Sequence, residues 1–182
     1  GQKKDITEDT VWTETYADGQ TGYEILAERT VEQLKYIHAV YDLAKEKGYI
    51  QDATFTGMKH RMEQENMQRS EKVARGEAVY GLKEYTLDLY QEYELSMIEE
   101  AYILDETNEG MGLTEEEIEA YYNTRDWIVG EDARKADLSE ARAAVIDEMR
   151  RNRYKELTEQ KAAVAEVDGD MDQLSQFTLK QL

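Results

Sequence analysis

Apolar residues recur along most of this chain at steps of three and four, the spacing that gathers side chains on one face of an α-helix. From Tyr23 to Lys47 the stripe is Leu26, Thr30, Leu34, Ile37, Tyr41 and Ala44, closed by Lys45, Lys47 and Gly48 as stop signals. Asp52 then stands as an N-cap for a helix over about 53–75, with Phe55, Met58, Met62, Asn66, Arg69 and Val73 along one side and Gly76 at its end. Thr86 opens a third helix to about Asp105, whose stripe is Leu89 and Tyr90, then Tyr93, Met97, Ala101 and Leu104. A capping box, Thr114 with Glu117, starts a fourth in LTEEEIEAYY and presents Ile118, Tyr121 and Tyr122. The fifth runs from about Ser139 to Ala163 behind Val145, Ile146, Met149, Arg153 and Leu157.

Other stretches depart from the helical period. TVWTETY (10–16) alternates in the manner of a short strand, followed by the turn cluster ADGQTG, and Val164–Val167 reads as a second short strand. NEGMG (108–112) is a loop, 123–137 is irregular around Trp127 and Gly130, 1–10 is loose, and the last dozen residues are a tail. The expected architecture is all-α with about five helices, plus one short strand pair joining the two ends. Its parts are an N-terminal arm (1–22), a helical domain (23–167) and a C-terminal tail (168–182). The absence of proline suits long uninterrupted helices, and no run of about 18 apolar residues is present to span a membrane.

Composition narrows the function. The 41 acidic against 22 basic residues give a net charge of -19, and mean hydropathy is -0.82. Phosphate backbones and anionic lipid surfaces repel such a chain, whereas a basic partner is drawn to it at low salt. Acidity also serves solubility alone. With no cysteine there is neither disulfide nor thiol chemistry, which suits a cytosol and a Gram-positive envelope equally. The opening GQKKDITEDT shows no signal segment and reads as trimmed.

Catalytic chemistry finds little support. His38 and His60 are the only histidines, each inside an expected helix, and neither belongs to a nucleophile–base arrangement. Phosphate-loop patterns and paired cysteine or histidine ligands are missing, and the abundant carboxylates imply no defined geometry. DETNEGMGLTEE (105–116) partly matches a calcium loop through Asp105, Thr107, Glu109, Gly110 and Glu116. The short Asp and Asn ligands are replaced and Gly112 stands where an apolar residue belongs, so a loop leading into a capped helix is the preferred reading. DGDMD (168–172) is a weaker match. No catalytic residue, metal or cofactor is expected, and the chain is read as a non-enzyme.

Aromatic content says more. Thirteen tyrosines stand against two phenylalanines, with Tyr80, Tyr85, Tyr90, Tyr93, Tyr102, Tyr121 and Tyr122 in the middle of the chain. Tyrosine and methionine suit half-wet binding surfaces, although the same residues also fill helical cores.

The order and spacing of several degenerate motifs over residues 23–167 resemble the N-terminal chaperone module of SurA- and PrsA-like foldases, in their Gram-positive extracytoplasmic form. They are Glu65-Asn66, Arg69, Gly76, Val79-Tyr80-Gly81, Tyr85 and Tyr90, the LAKEKGYIQDATFTGM turn, the Tyr121-Tyr122 helix end and the long helix over 137–167. The resemblance implies an irregular SurA- or trigger-factor-like helical fold and an extracytoplasmic, lipid-anchored chaperone in the cell envelope. Its parvulin isomerase domain would lie in 123–137, which is far too short to hold one, so no prolyl isomerase activity is expected. Tyr80, Tyr85, Tyr90, Tyr93, Met97, Tyr121 and Tyr122 are then the client-binding residues, with Asn66, Arg69, Gly76 and Gly81 as the structural motif between two helices. Arg69 is expected to be partly buried, paired with a carboxylate or with carbonyls of the 76–81 connector. The partner is unfolded or extended polypeptide; the alternative is an envelope assembly protein that binds one defined folded partner.

Overall fold

With no proline to interrupt them, the apolar repeats form helices of up to 27 residues in the computed structural model, which describes residues 11–16, 19–129, 133–166 and 169–181. The helices are α1 (Gly22–Glu46), α2 (Phe55–Ala74), α3 (Leu87–Leu104), α4 (Glu115–Tyr122), α5 (Leu138–Val164) and α6 (Met171–Gln181). The fold is all-α. Its sheet among the described residues is an antiparallel pair of two-residue strands, β1 (Ile128–Val129) and β2 (Arg134–Lys135), in register Ile128 with Lys135 and Val129 with Arg134.

Several expectations need correction. The strand pair does not join the chain ends; it closes a hairpin inside 123–137. Val164 is the last residue of α5, not the start of a strand, and Val167 lies outside the described residues. In place of a strand over 10–16, Thr15 makes an isolated bridge with Thr21, and the loose segment 1–10 lies outside the described residues. The 168–182 stretch holds α6, started by Asp170, whose carboxylate accepts from the backbone N–H of Asp172 and Gln173. Asp168 lies outside the described residues. No helix among the described residues is long and apolar enough to cross a membrane.

Contacts divide the chain into two units, one of residues 1–39 with 161–182 and one of residues 40–160. In the first, Ile25, Ala27, Ala39 and Ser175 are buried, and Glu24 accepts hydrogen bonds from the backbone N–H and hydroxyl of Thr21. Leu34, expected on the buried stripe of α1, is exposed.

The second unit holds two apolar clusters. Ile118, Trp127, Ala136, Ala141, Val145 and Met149 form one, and Leu43, Tyr102, Ile103, Met111 and Tyr154 the other. The capping box forms as its sequence demands: Thr114 Oγ1 accepts from Glu117 N–H, and the Glu117 carboxylate accepts from Thr114 N–H at 2.9 Å. The N-cap of α2 is Thr54 rather than Asp52, whose carboxylate instead accepts from Thr54 N–H. The Asp52 side chain presses so close to Gly57 that a Cβ there would lie 2.6 Å away.

The α2–α3 hairpin is joined through charge. Glu94 is only 7% exposed. It accepts from Arg61 Nε at 2.6 Å and Nη2 at 2.9 Å and from the Tyr90 hydroxyl at 3.2 Å, while Arg61 Nη1 donates to Asp52 O. The guanidinium also sits 5.8 Å from the centre of the Tyr41 ring. Burial and then the Glu94 charge push the phenols of Tyr41 and Tyr90 well above the ordinary tyrosine range.

Removing one partner strands the other, at roughly 3–5 kcal/mol for a buried pair. Because Arg61 retains some exposure, Glu94→Ala is expected at the lower end, about 3 kcal/mol, which lowers Tm by about 6–12 °C in a chain of this size. An unchanged melting curve contradicts the role given to the pair. A second expectation concerns acid. Hydrogen bonding to Thr114 N–H and then the pairing with Arg153 hold the Glu117 carboxyl below its ordinary 4.5. A lowered folded pKa contributes stability above 4.5 that is lost as pH falls through the folded value. Glu117→Gln therefore flattens the acid branch of Tm against pH; an identical branch in the variant counts against the box.

Candidate functional site

The connector between α2 and α3 is pinned from the α2 side. Gly76 (φ 73°) and Gly81 (φ 76°) occupy the left-handed region that disfavours side chains, and they turn the chain at each end of Glu77–Tyr80. Asn66 reads the backbone of Tyr85 in both directions, donating from Nδ2 to Tyr85 O at 2.9 Å and accepting from Tyr85 N–H at 2.7 Å. Arg69 is largely buried. It meets a carboxylate, Glu65, at 2.8 Å and the connector carbonyls of Tyr80 and Leu82 at 3.0 and 2.7 Å. Its guanidinium also lies 4.7 Å from the centre of the Tyr85 ring. These contacts fix the connector in advance of any binding event, so little conformational entropy remains to be lost there.

Beside the clamp stand three stacked aromatics. Tyr85 lies parallel to Tyr93 at 5.0 Å and edge-on to Tyr90 at 5.8 Å. Tyr90 belongs to the buried side, with its hydroxyl on Glu94, while Tyr85 and Tyr93 are half-buried. Tyr80 is 87% exposed, and Leu82 and Leu87 are exposed too.

The face of α3 is where the sequence expectation fails most usefully. Of the expected stripe, Tyr90 is buried and Tyr93 half-buried, but Leu89, Met97, Ala101 and Leu104 are not on the packed face. Leu89 is 40%, Met97 50% and Leu104 70% exposed. Tyr90, Glu94, Ile98, Tyr102 and Ile103 are buried instead. The helix carries two apolar stripes, and the buried one is interrupted by a carboxylate, which made it the less conspicuous of the two. Glu94 and Arg61 were missed for the same reason: a charge on an apolar face reads as surface until its partner is seen.

The remaining expected residues lie elsewhere. Tyr121 and Tyr122 pack against the Ile118–Trp127–Val145 cluster, and their hydroxyls donate to Glu148 at 2.8 Å and to Ala136 O at 2.7 Å. Tyr121 also lines an open groove of about 470 Å³ with Met149, Asn152 and Arg153. The seven expected client-binding residues therefore separate. Tyr80, Tyr85, Tyr93 and Met97 share the connector and α3, Tyr90 lies beneath them, and Tyr121 and Tyr122 belong to α4. His38 and His60 are exposed. Asp105 turns its carboxylate onto the N–H and hydroxyl of Thr107, and no group of carboxylates or histidines among the described residues is placed to hold a metal ion.

No family model matches the sequence. The chain is 36% identical over 166 residues to a Bifidobacterium longum protein named as a chaperone for lacto-N-biosidase, a match covering 91% of this chain and 59% of that protein. The chain thus spans about three-fifths of the length of that relative. Its fold is similar to part of the crystal structure of a GH136 lacto-N-biosidase from Eubacterium ramulus, with a TM-score of 0.59 over 80% of this chain and 29% of that one, at 18% identity. These findings overturn the resemblance to SurA and PrsA foldases. The sequence relative is a chaperone tied by name to one glycosidase, and the shared fold is found in a lacto-N-biosidase structure.

The clamp has a direct test. Arg69→Ala frees the carbonyls of Tyr80 and Leu82, so trypsin cleavage after Lys83 is expected to accelerate several-fold together with a fall in Tm. Unchanged proteolysis and melting contradict a connector held by Arg69.

Proposed function

We propose that this chain is a dedicated folding or assembly partner for one enzyme, a glycoside hydrolase of the lacto-N-biosidase kind, and has no catalytic step of its own. The observation that carries this reading is the 36% identity, sustained over 91% of the chain, to a protein named as a chaperone for that enzyme. The fold likeness supports it from another direction. A helical fold of this kind accounts for 29% of a chain described as a lacto-N-biosidase, so it occurs in one polypeptide with further enzyme sequence. A separate chain of the same fold is suited to supply in trans what that part supplies in cis.

The surface chemistry agrees with a single partner. A connector whose backbone is clamped by Asn66 and Arg69 carries the exposed Tyr80, an arrangement that specific recognition of a folded surface favours. A holdase for many sequences gains more from an adaptable surface.

Co-expression tests the proposal. A GH136 lacto-N-biosidase chain lacking its helical partner is produced with and without this protein, and soluble glycosidase activity is measured. At least a tenfold gain is expected with it, and no activity from this protein alone. Equal activity in both cultures, or glycosidase activity in this protein by itself, overturns the reading.

A further inference from the structure

We infer that the exposed stripe of α3 is the surface the enzyme partner covers, and that the matching face of the partner is an apolar patch bordered by lysine or arginine. The inference rests on the proposed function and names the site and chemistry of the contact. Leu89, Tyr93, Met97, Ala101 and Leu104 follow one another at steps of three and four, so they share one side of the helix. From Leu89 to Leu104 the stripe is about 22 Å long at 1.5 Å per residue. Before its start along the chain, Tyr80, Leu82 and Leu87 are exposed as well. Large contiguous apolar surface is uncommon on chains that act alone, and aromatic and methionine side chains are enriched where partners dock.

Charge identifies the occupant. α3 carries five carboxylates, Asp88, Glu92, Glu94, Glu99 and Glu100, and no lysine or arginine. Arg61 answers Glu94, and Arg151 answers Glu99 and Glu100. Asp88 and Glu92 are exposed, lie one turn apart in the sequence beside Leu89 and Tyr93, and form no ion pair among the described residues. Glu84 of the connector adds a further exposed carboxylate. A second copy of this chain would bring the same acidic edge and a net charge of -19 to the contact, so self-association on this face is opposed by like charges. A basic rim on a different protein is attracted to it.

The experiment uses the co-expression pair and purified complexes. Met97→Glu/Leu104→Glu places charge on the stripe, Asp88→Lys/Glu92→Lys reverses its edge, and Gln64→Glu on the outer side of α2 is the control. Thermal melting checks that each variant is folded. With wild type and control supporting the enzyme, the stripe variant is expected to lose at least tenfold in affinity for the enzyme chain and in soluble activity. The edge variant is expected to bind more weakly at low salt and to lose the salt dependence of the wild type. A folded stripe variant that supports the enzyme as well as wild type overturns the surface and leaves the proposed function standing. An edge variant with unchanged affinity and salt response overturns the basic rim. A wild-type protein that gives the enzyme no help removes both.

Discussion

The bidentate pair between Arg61 and Glu94 sets which side of α3 turns inward, and the surface character of the protein follows from it. A carboxylate with so little exposure is costly unless a cation meets it with good geometry. Two guanidinium nitrogens and the Tyr90 hydroxyl supply that geometry, and they can do so only with Glu94 directed at α2. That orientation buries Tyr90, Ile98 and Tyr102 and leaves Leu89, Met97 and Leu104 in solvent. An apolar stripe outside and a carboxylate inside is the reverse of what burial of apolar area alone would select.

The same hairpin organises its connector. Three features act in one direction: the two left-handed glycines, the reciprocal Asn66–Tyr85 hydrogen bonds and the Arg69 contacts to Tyr80 and Leu82. Each removes freedom from the segment that carries Tyr80. The polar residues of α2 thus hold the joint, and the aromatic and aliphatic residues around them are displayed by it. Asn66, Arg69, Gly76 and Gly81 shape the connector that leads to the start of α3.

How far the sequence could be read depended on the range of the interaction involved. The capping box of α4 and the glycine stop of α2 were legible because each is decided within a few residues. The clamp residues Asn66 and Arg69 stood out through their place on a helical stripe next to a glycine-bounded connector. The hairpin of β1 and β2 was not legible: its strands are two residues long, too short for alternation to register, and Trp127 O accepting from Ala136 N–H sets it in place. α6 was read as a tail since eleven polar-rich residues near a chain end carry little periodic signal. The facing of α3 was misread because periodicity finds stripes without saying which one has a neighbour, and Glu94 masked the stripe that does. The likeness to SurA-type modules failed on the same ground. Helix stops and tyrosine spacing are shared by many helical proteins, whereas the identity sustained along the chain is to a protein named as a chaperone for one glycosidase.

The central claim is that the outward stripe of α3 lies under an enzyme partner. A photo-activatable phenylalanine analogue at position 97, compared with one at position 60 on the exposed side of α2, tests it during co-production with a GH136 lacto-N-biosidase chain. The account predicts a covalent adduct with the enzyme chain from position 97 and little from position 60. Equal adducts from both positions, or an adduct from position 60 alone, contradict it.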